Sequence, residues 1–252
     1  MSLARRFVVE FMNGRDTEVC REIMHADYSL HVGGTVIAGR DREYLPAVRQ
    51  QLDQFPGMVM TVHDVIATTA QIAVHFSEHG ASGGAGGPLA AWQGIALYRW
   101  NGSQLTTCVA EEDYYSRRRQ LKSGVVDVIS PPAAAPWDTM PRPADPGAEQ
   151  TVRRWLGDGL PAVGHVRFDD DTTTIQFDAD EIQIGELMSA GDRVAFHARR
   201  IGRYLSGLGE MPASTGSVAL NSIGIVRVVD GRLVDGQVIR DRAGLHRAIR
   251  PV

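Results

Sequence analysis

The sequence predicts an α+β fold built twice in tandem, and three observations carry that prediction. A stretch running Ile95-Ala-Leu-Tyr-Arg99-Trp-Asn101-Gly102 and on to Asp113 is echoed by Ile223-Gly-Ile-Val-Arg227-Val-Val-Asp230-Gly231 and on to Asp241, with 18 residues from Ile to Asp in each copy. Self-similarity over such a span marks a repeated structural unit. In the first copy a helical apolar period precedes a strand period, which is the α+β order. Between the copies, residues 123–147 hold six of the chain's 12 prolines and read as a stiff, partly extended linker. The expected division is a first domain over 1–122, a Pro-rich linker over 123–147 and a shorter second domain over 148–252.

Each element has a local reason. Ala4, Phe7, Val8, Phe11 and Met12 form the apolar stripe of a first helix, which Asn13-Gly14 stops. Asp16 or Thr17 can cap a second helix carrying Val19, Cys20, Ile23 and Met24. Tyr28 to Val32 reads as a short strand. Gly33-Gly34 turns the chain, and a third helix carries Leu45, Val48, Leu52 and Phe55, with Pro46 in its first turn.

From Met58 the period becomes two. Strands are expected over Met58 to Ala67, Ile72 to Phe76, Leu89 to Trp100 and Leu105 to Asp113, the last two joined by the hairpin signal Asn101-Gly102. Gly80 to Pro88 is a glycine-heavy loop. Trp137 and Met140 are expected to pack part of the linker on a domain surface. The second domain reads as a helix over Glu149 to Leu156 and four strands, over Ile182 to Met188, Val194 to Arg199, Val218 to Val229 and Leu233 to Arg240. All strands are expected to pair antiparallel.

Composition excludes several classes. Hydrophobic residues make up 43% and charged residues 22%, ordinary for a globular protein. A net charge of -4 argues for no nucleic acid and no anionic membrane as partner. No apolar run is long enough to span a bilayer. Two cysteines, Cys20 and Cys108, form no disulfide framework, so a cytoplasmic location is expected.

A family resemblance follows from several of these residues. Asn13-Gly-Arg-Asp16, Asp27-Tyr28 and His31 are similar to the opening of SnoaL-like polyketide cyclases, within the nuclear transport factor 2-like and ketosteroid isomerase-like superfamily. Asp113 with Gln120-Leu121, and Asp241 with Gly244-Leu245, each resemble half of that family's closing pattern. The resemblance implies two tandem cone-shaped domains, each a curved antiparallel sheet packed on helices (a cystatin-like α+β barrel) around an apolar pocket. It also implies cofactor-independent acid/base chemistry on a hydrophobic small-molecule ligand, with no metal and no cofactor. The family's acid/base position falls on Asp113 and, through the repeat, on Asp241. Tyr28, His31, His63, His75, Tyr98 and, in the second copy, His197 are the candidate hydrogen-bonding groups.

A carboxyl at a strand end in an apolar cone is desolvated, which raises its pKa toward the pH at which it works. The structural alternatives are an Asp113 offset by Arg117, Arg118 and Arg119, and an Asp241 paired with Arg240 or Arg242. His75 and His79 share a strand face but sit about 13 Å apart, too far to share a metal. Asp169-Asp170-Asp171 lacks the spacing of a calcium loop and reads as a solvated turn. Three functions compete: a polyketide cyclase or isomerase type of enzyme, a non-catalytic small-molecule-binding or scaffolding protein, and an epoxide hydrolase requiring an Asp-Arg-Asp relay. Domains of this type pair sheet to sheet, so an internal pseudo-dimer is expected, with a homodimer of chains also open.

Overall fold

The computed structural model describes residues 1–169, 171 and 174–249. The first half opens with α1 (Ser2–Arg6), which widens into a π-type helical turn over Phe7–Asn13. Asp16 then caps α2 (Thr17–Ile23) by accepting from the Glu18 N–H. A hairpin follows, β1 (Met24–Val32) and β2 (Thr35–Ala38), turned by Gly33 and Gly34 at positive φ. A second π-type turn, Arg40–Tyr44, leads into α3 (Leu45–Gln54), with Pro46 in its first turn where no helical N–H is needed. Four strands complete the sheet: β3 (Val59–Ala67), β4 (Gln71–Ala81), β5 (Leu89–Trp100) and β6 (Leu105–Glu112). Asp113 caps α4 (Tyr114–Ser123), and Gly124, left-handed, ends it.

The second half contains α5 (Pro146–Gly157), β7 (His165–Phe168), β8 (Gln176–Ala190), β9 (Arg193–Ser206), β10 (Val218–Val229), β11 (Arg232–Arg240) and α6 (Arg242–Ile249). The sheets run β2-β1-β6-β5-β4-β3 and β7-β11-β10-β9-β8. The expectation of wholly antiparallel sheets is corrected: β1 lies parallel to β6, and β7 parallel to β11. Parallel partners need a long crossover and leave no hairpin signal for sequence reading to find. β7 itself was not expected, being only four residues long.

Strand register bears out the repeat residue by residue. His75 pairs with Ile95, which pairs with Glu111; His197 pairs with Ile223, which pairs with Ile239. Helical residues fill the concave side of the first sheet, where Phe7, Phe11, Ile23, Tyr44, Leu45 and Phe55 meet Ile72, Val74, Phe76 and Trp92. Each such side chain contributes about 1.5–3 kcal/mol when fully buried. Trp137 packs against this core, whereas Met140 is exposed, contrary to expectation.

The convex faces of the two sheets meet each other. Ile66, Ala73, Ile95 and Leu97 interleave with Met188, Ala195, Ile223, Ile225 and Ile239. Arg193 forms a forked ion pair with Asp64, and Arg99 reaches Glu186 at 2.5 Å. The chain therefore brings its two repeats together back to back. No helix among the described residues is long and apolar enough to cross a membrane.

Candidate active site

A cavity of about 390 Å³ opens inside the first sheet's concave face. Its walls are apolar, built by Phe7 and Met12 from the first helical run, Ala47 and Val48 from α3, and Met60, Phe76 and Ala96 from the strands. Into this setting the strand pleat delivers two carboxyl groups. Glu78 follows Val74 and Phe76 on the inward face of β4, and Glu112 follows Cys108 and Ala110 on the inward face of β6.

The strand between them sets Trp92 opposite Glu78 and a glycine opposite Glu112. Phe76 pairs with Gly94 of β5, and Gly94 pairs with Glu112. A Cβ at Gly94 would stand 2.5 Å from Phe76 Cζ and 2.9 Å from Glu112 Cγ. Glycine thus makes room for the Phe76 ring and for Glu112, which shares a hydrogen bond with Glu78. Gln51 donates to Glu78 at 2.6 Å, and Trp92 Nε1 donates to Glu112 at 3.0 Å. The Tyr114 hydroxyl also donates to Glu112.

Burial holds the Glu78 carboxyl well above its ordinary pKa of 4.5, and the neighbouring Glu112 pushes it further the same way. Arg117 pulls against that rise; its guanidinium lies over the Tyr114 and Trp92 rings at 4.3 and 5.0 Å. Two carboxyls hydrogen-bonded to each other in a low-dielectric pocket keep a proton between them, in line with the raised Glu78. At the other end of the same face, the Tyr28 and Tyr98 hydroxyls bond the Cys108 sulfur. Cys108 and Glu112 are four residues apart on β6, so these polar ends are separated by about 13 Å of strand.

The sequence candidates divide into three groups. Tyr28, Tyr98 and Asp241 line the cavity. Asp241 stands at the mouth beside Gly33 and accepts the Gly244 N–H at 2.7 Å, capping α6; it pairs with neither Arg240 nor Arg242 as its principal contact. Glu111, also at the mouth, accepts from Gly33 N at 3.1 Å and meets His197 Nε2 at 3.3 Å. His197 therefore sits at the junction of the two sheets.

His63 and His75 face away from the cavity. His63 bonds Ser77 at 2.7 Å and the Pro131 carbonyl at 3.0 Å, and His75 bonds Gln93 at 2.9 Å. Burial lowers the His75 pKa to about 4. His79 joins the same row through Ser77, and among the described residues no group of His, Cys, Asp and Glu is arranged to hold a metal. His31 is exposed on β1.

Asp113 does not reach the cavity. It accepts from Arg242 of α6 at 2.5 Å, and Arg242 Nε lies 3.5 Å from Asp169, which pairs with Arg240 at 2.5 Å. The offset expected from Arg117, Arg118 and Arg119 is thus supplied by the other repeat. Burial pushes the Asp113 carboxyl up while Arg242 draws it down. The reading of residues 169–171 as a solvated turn is corrected at Asp169, which is buried, while Asp171 is exposed; Asp170 lies outside the described residues. An Asp-Arg-Asp array does exist here, outside the apolar cavity and almost wholly buried, with side-chain exposures of 4%, 0% and 0%.

The repeat makes the second cone a natural comparison. Counting from the paired His and Ile positions, Arg200 stands where the first copy has Glu78, and Arg240 where it has Glu112. Arg200 is buried, which lowers its pKa to about 10. The second copy has replaced the acid pair with a basic one, and Asp169 occupies it. Glu78 and Glu112 belong to no motif in the sequence, unlike the strand-end aspartates. The signal available was inward phase: both are acidic residues on the apolar face of a strand.

Residues 4–107 match the SnoaL-like domain family. A protein from Jannaschia sp. CCS1 assigned to the SnoaL-like polyketide cyclases is 15% identical, with 48% of this chain and 90% of that one covered and a TM-score of 0.44. IdmH from Streptomyces antibioticus, assigned as a polyketide cyclase, is 19% identical over 48% of this chain and 96% of its own, with a TM-score of 0.43. An NTF2-like protein from Cytophaga hutchinsonii is 18% identical over 44% and 96%, at 0.37. Among curated proteins none matches the chain.

Proposed function

We propose that the first repeat is a cofactor-independent acid/base catalyst for a hydrophobic carbonyl compound, of the isomerase or aldol-cyclase type. The observation that carries this reading is the hydrogen-bonded Glu78–Glu112 pair in an apolar cavity of about 390 Å³. Glu112, held by Trp92 and Tyr114, is the base; Glu78 is the acid. Glu112 removes a proton from the carbon next to the carbonyl, and the electron pair moves onto the carbonyl oxygen, where the Glu78 O–H stabilises it. Return of the proton to a different carbon completes an isomerisation. Attack of the enolate carbon on a second carbonyl of the same ligand closes a ring instead, with the Glu78 proton passing to the new alkoxide. The hydrogen bond between the two carboxyls then returns the proton from Glu112 to Glu78 and resets the pair.

Within this proposal the catalytic unit is residues 1–122, joined through 123–147 to a second unit over 148–252 that has lost the acid pair. Asp241 belongs to the cavity mouth, and Asp113 to the strut between the repeats. A cytoplasmic setting, consistent with the unbridged Cys20 and Cys108, is part of the same proposal. The test is proton exchange in 2-tetralone, an apolar two-ring ketone, followed by NMR in deuterated buffer. Exchange faster than in buffer alone is expected. A rate equal to buffer with 2-tetralone bound would turn the reading toward a binding protein without chemistry.

A further inference from the structure

α4 and α6 lie side by side at the cavity mouth, and the groove between them is strongly basic. It has a volume of about 720 Å³ and is walled by Arg117, Arg118, Arg119 and Lys122 from α4 and His246 and Arg247 from α6. Among the described residues no acidic one lines it, although the chain as a whole carries a net charge of -4. Among the described residues no carboxylate is ion-paired with Arg118, Lys122 or Arg247, and all three are exposed. Arg118 and Lys122 are four residues apart on one helix, a spacing at which like charges repel. A local excess of unbalanced cations in a chain of opposite sign concentrates an anion.

The groove is continuous with the cavity. Tyr114 and Arg247 form part of the wall of both. One molecule can therefore place an apolar body in the cavity and a charged group in the groove, passing Tyr114 on the way. A concave site between two helices, continuous with the apolar cavity, fits a small anionic group on such a ligand better than a flat anionic surface.

We propose that the substrate is an apolar carbonyl compound bearing an anionic group, a carboxylate or a phosphate, which Arg118, Lys122 and Arg247 hold outside the cavity. This rests on the cavity being the substrate site. It gives the second repeat a role, because α6 supplies Arg247 while the Glu78–Glu112 pair stays wholly in the first.

Three probes with one naphthalene body test it: a hexanoate tail, the corresponding pentyl phosphate, and the neutral hexanamide. Binding is read by calorimetry on the full chain. The account expects at least one anionic probe to bind tenfold or more tighter than the amide, with the margin shrinking as salt rises. The relative affinity of carboxylate and phosphate tells which anion the groove prefers. The double variant Arg118→Ser, Lys122→Ser removes exposed side chains only; it is expected to erase the margin and leave amide binding unchanged. Equal binding of all three probes to the wild-type protein overturns the anion proposal and leaves the cavity reading intact. No binding by any of the three overturns both.

Discussion

Glu78 and Glu112 share a hydrogen bond, and Glu112 is seated against a strand position that bears no side chain, Gly94. Three neighbouring strands have to be in register for that contact to form, and the middle one has to supply glycine. Gly94→Ala would place a methyl group 2.9 Å from Glu112 Cγ and 2.5 Å from the Phe76 ring. Overpacking of this kind costs about 1–3 kcal/mol. We expect a folded protein with reduced denaturant midpoint and little remaining exchange activity. Full activity in this variant would show that the carboxyls do not need to meet.

Glu78 is held neutral, and the sign of its contribution follows. Its stabilisation is complete below the ordinary carboxyl value of 4.5 and is lost as pH rises through its raised folded value. Glu78→Gln keeps the neutral shape and a donor. Its melting temperature should fall less steeply than that of the wild type as pH rises, while proton transfer is lost. Parallel melting curves across that range would contradict a raised Glu78.

His75 titrates with the opposite sign. Burial lowers it from 6.5 to about 4, so stability is complete above pH 6.5 and falls as pH drops through that window. At about 1.4 kcal/mol per unit this amounts to about 3 kcal/mol. His75→Gln, which can still bond Gln93, should flatten the acid side of the stability profile without changing activity at neutral pH.

Asp113→Asn removes charge from a buried ion-pair strut. Breaking one partner of such a pair costs about 3 kcal/mol. Asp169 still faces Arg242, so we expect a protein that folds with a lower melting temperature and keeps most of its activity. Asp241→Ala should weaken the α6 cap by about 1 kcal/mol.

The tandem architecture was legible because hairpins and strand-end residues are local signals, repeated at equal spacing from Ile95 to Asp113 and from Ile223 to Asp241. The parallel pairs β1/β6 and β7/β11 were not, since nothing near Met24 or His165 in the chain announces a partner so distant in sequence. At the site, Tyr28 and Tyr98 could be placed from their apolar strands. The matched aspartates could not be assigned from position alone, because whether Asp113 meets a ligand or Arg242 depends on how the second repeat docks. Glu78 and Glu112 carry their meaning in strand phase rather than in a motif.

The central claim is that the cavity pair, and not the strand-end aspartate, moves the proton. Exchange of 2-tetralone protons by Glu112→Gln and Asp113→Asn, each compared with the wild type under conditions where both are folded, tests it most directly. The account predicts a loss of at least about 100-fold for Glu112→Gln and a rate within a few-fold of wild type for Asp113→Asn. An undiminished Glu112→Gln, or an inactive but folded Asp113→Asn, would contradict it.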